Sequence, residues 1–253
     1  MTHAGFFEGI GGFSLGAKKA KIKTLYYCEI DEFCQKWLKT FLPKSNYEKD
    51  IVTATGQYAD IYTAGFPCQD ISLANPKGKG LKGERSGLFW NFFELVRTYR
   101  PRYVVLENSP NLLNRGFDDI LIAFDQIGYN VEWQVISKRG FGYNDNRQRV
   151  IAVAYAHSVG RHHDREVFDP LYFESCQQKI RKERWISFQI ERITNLLSLR
   201  QAHAHAVQAD AGISKKMAQI EIEAYGNAIC PDVAQLVFEL IKIHNQWKPQ
   251  KKV

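Results

Sequence analysis

The sequence predicts an α/β domain built on a mostly parallel sheet with helices on both faces, followed by a smaller, partly helical region. Three observations carry this expectation. Short apolar runs alternate with amphipathic segments across residues 1–156, which is the spacing of βαβ units. The 253 residues are 45% hydrophobic and 13% aromatic, enough to bury a sizeable core and to exclude intrinsic disorder. After Tyr155 the texture changes: 157–169 is polar and rich in His, Arg and Asp, as a connection leaving a sheet would be.

The expected strands are Ala4–Phe7, Leu25–Cys28, Ile61–Ala64, Tyr103–Leu106, Val131–Ile136 and Val150–Tyr155, each a short run rich in β-branched, aromatic or small apolar residues. Between them, apolar positions recur at helical spacing over Phe13–Lys19, Asp31–Phe41, Gly87–Tyr99 and Phe117–Ile127. A further helical stripe runs through Ile186, Ile190, Ile193 and Leu197. Pro231, a good first-turn residue, opens a last one through Val233, Leu236, Val237, Leu240 and Ile241. The expected organisation is a main domain over 1–156, a reduced region over 157–224, and a segment over 225–253 that returns to the main domain. Parallel sheets bind ligands at the carboxyl ends of their strands, so the turns after the strands are where chemistry is to be sought.

Composition narrows the setting. No apolar stretch is long enough to span a bilayer, and the first residues, Met1-Thr2-His3-Ala4-Gly5, lack the pattern of a secretory leader; the expectation is a soluble, cytoplasmic, monomeric protein with no membrane partner. Five widely spaced cysteines show neither a disulfide framework nor zinc-site spacing, so no metal is expected. The net charge is +7, and between Pro76 and Arg102 seven basic residues face two acidic ones. Such a stretch attracts a polyanion, with nucleic acid the first candidate; a solvated basic face is the competing account.

Four motifs stand at strand ends. Phe6-Phe7-Glu8-Gly9-Ile10-Gly11-Gly12 runs from a strand through glycines into a helix, where backbone can turn sharply and approach a ligand. Glu29 follows about 20 residues later at the end of the next strand, the place of an acid that grips ribose hydroxyls. Gly65-Phe66-Pro67-Cys68-Gln69 sets a thiol at a strand terminus, before the glycine-punctuated basic stretch Asn75–Ser86. A lone cysteine is most often a small buried hydrophobe, and a nucleophile under a cationic lid is the sharper alternative. Glu107-Asn108-Ser109-Pro110 offers a carboxyl for proton transfer, or a helix cap. In Asn146-Arg147-Gln148-Arg149 the two arginines face one way on extended backbone, as a surface pair or a paired cationic site.

Together, with the closing Gly226-Asn227-Ala228-Ile229, these motifs resemble those of the DNA cytosine-5 methyltransferases of bacterial or phage type, over about 1–156 and 225–245. The resemblance implies a Rossmann-like, S-adenosyl-L-methionine-dependent methyltransferase sheet and a short target-recognition region. It implies Cys68 as the thiol that adds to carbon 6 of a flipped-out cytosine in double-stranded DNA, with Glu107 the acid at ring nitrogen 3 and Arg147 and Arg149 the cations at the base. Around the cofactor it implies Phe7, Gly9, Ile10, Gly11, Gly12, Glu29, Ile30, Asp50, Ile51, Gly65, Pro67, Leu88, Asn227, Ala228 and Ile229. For nucleic acid it implies Gln69, Ser72, Lys77, Lys79, Lys82 and Arg85. A cognate restriction endonuclease or a partner subunit belongs to the same picture.

The chain departs from the family pattern in places. Gly5 stands where an Asp usually opens the first motif, and Glu8 where a small residue is usual; both bear on cofactor affinity. Ser109 replaces a Val, and Asn144-Asp145 replace a Pro-Gln before the arginines, which bears on how that segment is braced. Two other readings stay open: methylation of tRNA cytosine, and a nucleic-acid-binding relative of weak activity.

Overall fold

The computed structural model describes residues 1–67, 87–144, 146–157, 166–184, 187 and 228–246. Its strands are β1 (Thr2–Phe6), β2 (Lys23–Cys28), β3 (Asn46–Glu48), β4 (Ile61–Ala64), β5 (Tyr103–Asn108), β6 (Tyr129–Ser137) and β7 (Gln148–Ala156). Its helices are α1 (Gly12–Lys19), α2 (Glu32–Phe41), α3 (Leu88–Tyr99), α4 (Phe117–Gln126), α5 (170–184) and α6 (Pro231–Gln246). The seven strands form one sheet in the order β3-β2-β1-β4-β5-β7-β6. β1 to β5 pair parallel, while β7 runs antiparallel to β5 and β6 antiparallel to β7. All six expected strands are present. β3 escapes sequence reading because three largely exposed residues carry no apolar pattern.

The central strands are buried on both faces, which is why they read as continuous apolar runs rather than alternations. Alternate residues feed two cores. Phe6, Tyr62, Ala64, Val104 and Leu106 pack with Phe89, Phe92 and Val96 of α3 and Ile120 and Phe124 of α4. Ile61, Tyr103, Val105, Ile151 and Val153 pack on the other face with Phe13 and Ala17 of α1 and Val233, Leu236, Val237 and Phe238 of α6. The α1–α6 crossing is close: a Cβ at Gly16 would stand 2.5 Å from the Ala234 Cβ and 2.8 Å from the Gln235 backbone nitrogen. Only a residue without a side chain lets the two helices meet there. β1 also buries a polar residue in this core, with His3 Nδ1 and Nε2 paired to the hydroxyls of Thr24 and Thr63 at 2.9 and 2.8 Å.

Beyond β7, Val167 and Ile180 join the α1–α6 core, so the described part of the 157–224 region packs directly on the sheet domain. α5 begins at residue 170, earlier than the expected stripe; Ile186, Ile190, Ile193 and Leu197 lie outside the described residues. No helix among the described residues is long and apolar enough to cross a membrane.

Candidate active site

The carboxyl ends of β1, β2, β4 and β5 open onto one cavity of about 460 Å³, a size that suits a small ligand. The glycine turn after β1 forms its floor. β1 ends at Phe6, and Phe7, Gly9 and Gly11 then take positive φ angles of 53°, 57° and 88°. That conformation comes freely to glycine and at a cost to Phe7, and such strain gathers at functional turns. Gly11 caps α1 without a side-chain partner; the Ser14 N–H of the first turn is taken up instead by the Glu8 carboxyl at 2.8 Å, and the helix N-terminus lies beside the cavity.

Glu29 stands at the end of β2 with its carboxylate pinned. Its Oε2 accepts from the Gly9 N–H at 2.6 Å and its Oε1 from the Asp31 N–H at 2.8 Å. Burial raises its pKa against those hydrogen bonds. Ile30, 60% exposed, and Ile51 and Phe7 on the same cavity provide apolar surface for a flat ring. Asp31 lies on the wall too; it caps α2 by accepting from the Cys34 N–H at 2.8 Å. Sequence reading did not single it out, although an acid two residues past Glu29 and just before a helical pattern is an N-cap signal.

Gly65, Phe66 and Pro67, which follow β4, line the cavity as well. Asn108 holds this segment by donating from Nδ2 to the Phe66 carbonyl at 3.1 Å. Glu107 on β5 is buried, and Arg149 at the start of β7 reaches it with Nε 2.7 Å from Oε1. Burial raises the Glu107 pKa, and the charges of Arg149 and Arg147 only partly offset that. The acid therefore holds its proton more readily than a solvated glutamate. The helix-cap account of Glu107-Asn108 does not hold, because a 3₁₀ turn (Pro110–Asn114) intervenes and α4 is capped by Gly116.

Of the residues proposed from sequence, this cavity gathers Phe7, Gly9, Glu29, Ile30, Asp50, Ile51, Gly65, Pro67, Leu88, Glu107, Arg149, Ala228 and Ile229. Ile10, Gly11, Gly12 and Arg147 line an adjoining cavity of about 350 Å³, which shares Arg149, Ala228 and Ile229 with the first. Cys68, Gln69, Ser72, Lys77, Lys79, Lys82, Arg85 and Asn227 lie outside the described residues. Two cysteines that sequence reading left without a role, Cys28 and Cys34, do touch the site. Burial pushes the Cys28 thiol up to about 12 and that of Cys34 up as well, so neither is a thiolate at neutral pH.

Comparison with known proteins bears on family and fold. The family profile described as C-5 cytosine-specific DNA methylase matches residues 1–221. The type II methyltransferase M2.BsuMI of Bacillus subtilis is 34% identical over 163 residues, covering 61% of this chain and 42% of that protein. M.Sau3AI of Staphylococcus aureus is 32% identical over 172 residues, covering 59% and 42%. The chain thus spans less than half the length of these two relatives. Among solved structures, Dnmt2 of Schizosaccharomyces pombe superposes with a TM-score of 0.52 at 19% identity, covering 62% of this chain and 51% of that one. EhMeth of Entamoeba histolytica gives 0.51 at 17%, covering 61% and 52%. These two likenesses show the Rossmann-like methyltransferase fold.

Proposed function

Because the chain belongs to the C-5 cytosine-specific DNA methylases, we propose that it methylates carbon 5 of cytosine in double-stranded DNA, using S-adenosyl-L-methionine and a covalent adduct on Cys68. One observation carries the reading. A single cavity is lined at once by the glycine turn, by Glu29, by the backbone leading into Cys68, and by the Glu107–Arg149 pair.

The residues fit the cofactor. Glu29 is placed to accept from ribose hydroxyls, Phe7, Ile30 and Ile51 offer an apolar seat for adenine, and Asp50 stands at the same wall. When bound, the cofactor supplies an electrophilic methyl group on a sulfonium.

Carbon 5 of cytosine is a poor nucleophile until a thiolate adds at carbon 6 and makes the ring an enamine. Cys68 is assigned that addition. Glu107, whose burial favours the protonated form, is assigned to ring nitrogen 3, so that negative charge does not accumulate as the carbon–sulfur bond forms. Arg149, with Arg147 beside it, is a fixed cation for the charge that develops at the base oxygen. Removal of the carbon 5 proton by a base then lets the thiolate leave. The base must first leave the helix, at a cost of about a few kcal/mol; Gln69, Ser72, Lys77, Lys79, Lys82 and Arg85 are assigned to the DNA around it.

The test incubates the chain with tritiated S-adenosylmethionine and either duplex DNA or tRNA. Label on DNA is the expected result. Label on tRNA alone overturns the substrate, and label on neither favours a binding relative. In a second arm, duplex containing 5-fluorocytosine traps the adduct; trapping that survives Cys68→Ser removes Cys68 from its role. A cognate endonuclease and a cytoplasmic setting follow from the same reading, as for restriction–modification methylases.

A further inference from the structure

Glu8 sits in the glycine turn with its side chain buried and on the wall of the cavity. One carboxyl oxygen, Oε1, accepts from the Ser14 N–H at 2.8 Å in the first turn of α1. The other, Oε2, is buried with no hydrogen-bond partner among the described residues. That oxygen lies 1.8 Å from the point a Cβ on Gly5 would occupy, and the carboxyl carbon lies 2.7 Å from it. A side chain at position 5 and the Glu8 carboxyl therefore exclude each other. The two positions at which this chain departs from its family's glycine motif are complementary, since the space one leaves open is filled by the other.

We propose that Gly5 and Glu8 act as one device: the carboxyl folded into the space above Gly5 is a proton-carrying wall of the cofactor site, and it releases its proton to solvent when the cationic cofactor binds. This rests on the cofactor reading given above. Burial pushes the Glu8 pKa up to about 7, the charge of Glu29 adds to that, and the contacts with Ser14 oppose it. S-adenosylmethionine carries an ammonium and a sulfonium against one carboxylate, and is cationic overall. A positive charge in the same poorly solvated cavity favours the ionised carboxyl, so binding and proton loss are linked.

Among the described residues, the other charged or titratable groups facing this space come from five strands, the turns after them and α2, and include the Cys28 and Cys34 thiols, both pushed up by burial. His3 of β1 approaches the Gly5 position with Cε1 and is held neutral by burial. Glu29 and Asp31 line the cavity after β2, Lys49 and Asp50 after β3, and Glu107 and Arg149 from β5 and β7. Glu29 and Glu107 are raised by burial too, so a substitution at position 8 is needed to isolate its proton.

Titration calorimetry of the full chain with S-adenosylmethionine at pH 7, in phosphate and in Tris, counts the protons released on binding. The wild type is expected to release about half a proton more than Glu8→Gln, since a group with a pKa near the working pH is half protonated. Its affinity is expected to rise between pH 6 and pH 8 more steeply than that of the variant. Equal proton release from a folded Glu8→Gln overturns the proposal. A second arm moves the carboxyl back: Gly5→Asp with Glu8→Ala is expected to recover at least tenfold of the affinity lost in Glu8→Ala alone, while Gly5→Asp alone loses binding. A double variant as weak as Glu8→Ala also overturns it. If the wild type binds no S-adenosylmethionine, the cofactor reading itself fails, and the tritium assay reports that separately.

Discussion

Arg149 and Glu107 meet across the antiparallel seam of the sheet, the guanidinium Nε 2.7 Å from the carboxyl Oε1. The seam pairs Asn108 with Val150 and Glu107 with Ile151, so the arginine sits one residue beyond the last pair and bends back over the acid. Two antiparallel strands thereby set a guanidinium and a buried carboxyl side by side. A parallel crossover would separate them by a helix.

The pair makes a pH-dependent prediction. Glu107 is raised by burial and lowered in part by its arginines. If it acts in its protonated form, methyl transfer declines as pH rises through its pKa. Arg149→Ala removes the larger of the two opposing charges, so the descending limb should shift to higher pH while the plateau rate falls. Glu107→Gln should lose that limb along with most of the activity. Single-turnover rates from pH 6 to pH 9 check both; an unmoved limb in Arg149→Ala would place the titration elsewhere.

A second prediction concerns stability. His3 is fully buried and its pKa falls to about 3 from 6.5 through desolvation. The unfolded chain thus binds a proton first, and stability is lost as pH falls below about 6.5. Between pH 6.5 and pH 5 the loss is about 2 kcal/mol, at roughly 1.4 kcal/mol per pH unit. Glu8 acts in the opposite sense, because an acid with a raised pKa favours the fold as its proton is taken up between pH 7 and pH 4.5. Denaturant unfolding in a Glu8→Gln background separates the two. There the acid-side loss should steepen, with Glu29 and Glu107, also raised by burial, still opposing it, and adding His3→Gln should reduce it, even though the doubly substituted protein starts out less stable at pH 7.

Much of this fold is legible before any coordinates. Strands buried on both faces announce themselves as apolar runs, and α1 to α4 lie within one residue of their expected starts. Strand ends and charge together single out Glu29, Glu107 and Arg149, and the three line one cavity. Tertiary facts stay hidden. β3 is short and exposed, and nothing in a run of six residues shows that β7 turns against β5. That Glu8 folds over Gly5 is a packing relation between two residues on either side of a turn. The sequence marks both only as unusual, and the sub-van-der-Waals Cβ distance joins them.

Gly16 gives a third prediction, at the α1–α6 crossing. In an isolated helix, Gly→Ala is favourable by about 1 kcal/mol. Here the added methyl meets the Ala234 Cβ at 2.5 Å and backbone at 2.8 Å, and overpacking of this kind costs about 1–3 kcal/mol. Gly16→Ala should therefore be destabilising on balance. It should also weaken cofactor binding, since α6 carries the Ala228–Ile229 segment into the site. Thermal unfolding and calorimetry together check this, and a stabilised Gly16→Ala would show that the helices separate freely.

Asp232 at the start of α6 provides the last. Its side chain is 2% exposed and joins two helices and a loop: Lys19 of α1, Arg184 of α5 at 3.7 Å, and the Tyr143 hydroxyl before β7 at 3.0 Å. Arg184 also stacks its guanidinium 3.7 Å above the Tyr143 ring and donates to the Gly142 carbonyl at 3.1 Å. The segment Gly142–Tyr143, which leads toward Arg147 and Arg149, is thus clamped by α5. Arg184→Ala removes the clamp but leaves Asp232 its other partners, so the fold should lose only about 1 kcal/mol. Faster hydrogen exchange at 138–143 and a lower rate of methyl transfer should accompany that small loss, with Arg184→Lys recovering little because a lysine cannot reproduce the planar stack. Unchanged exchange in Arg184→Ala would mean that the arginine strand needs no brace from α5.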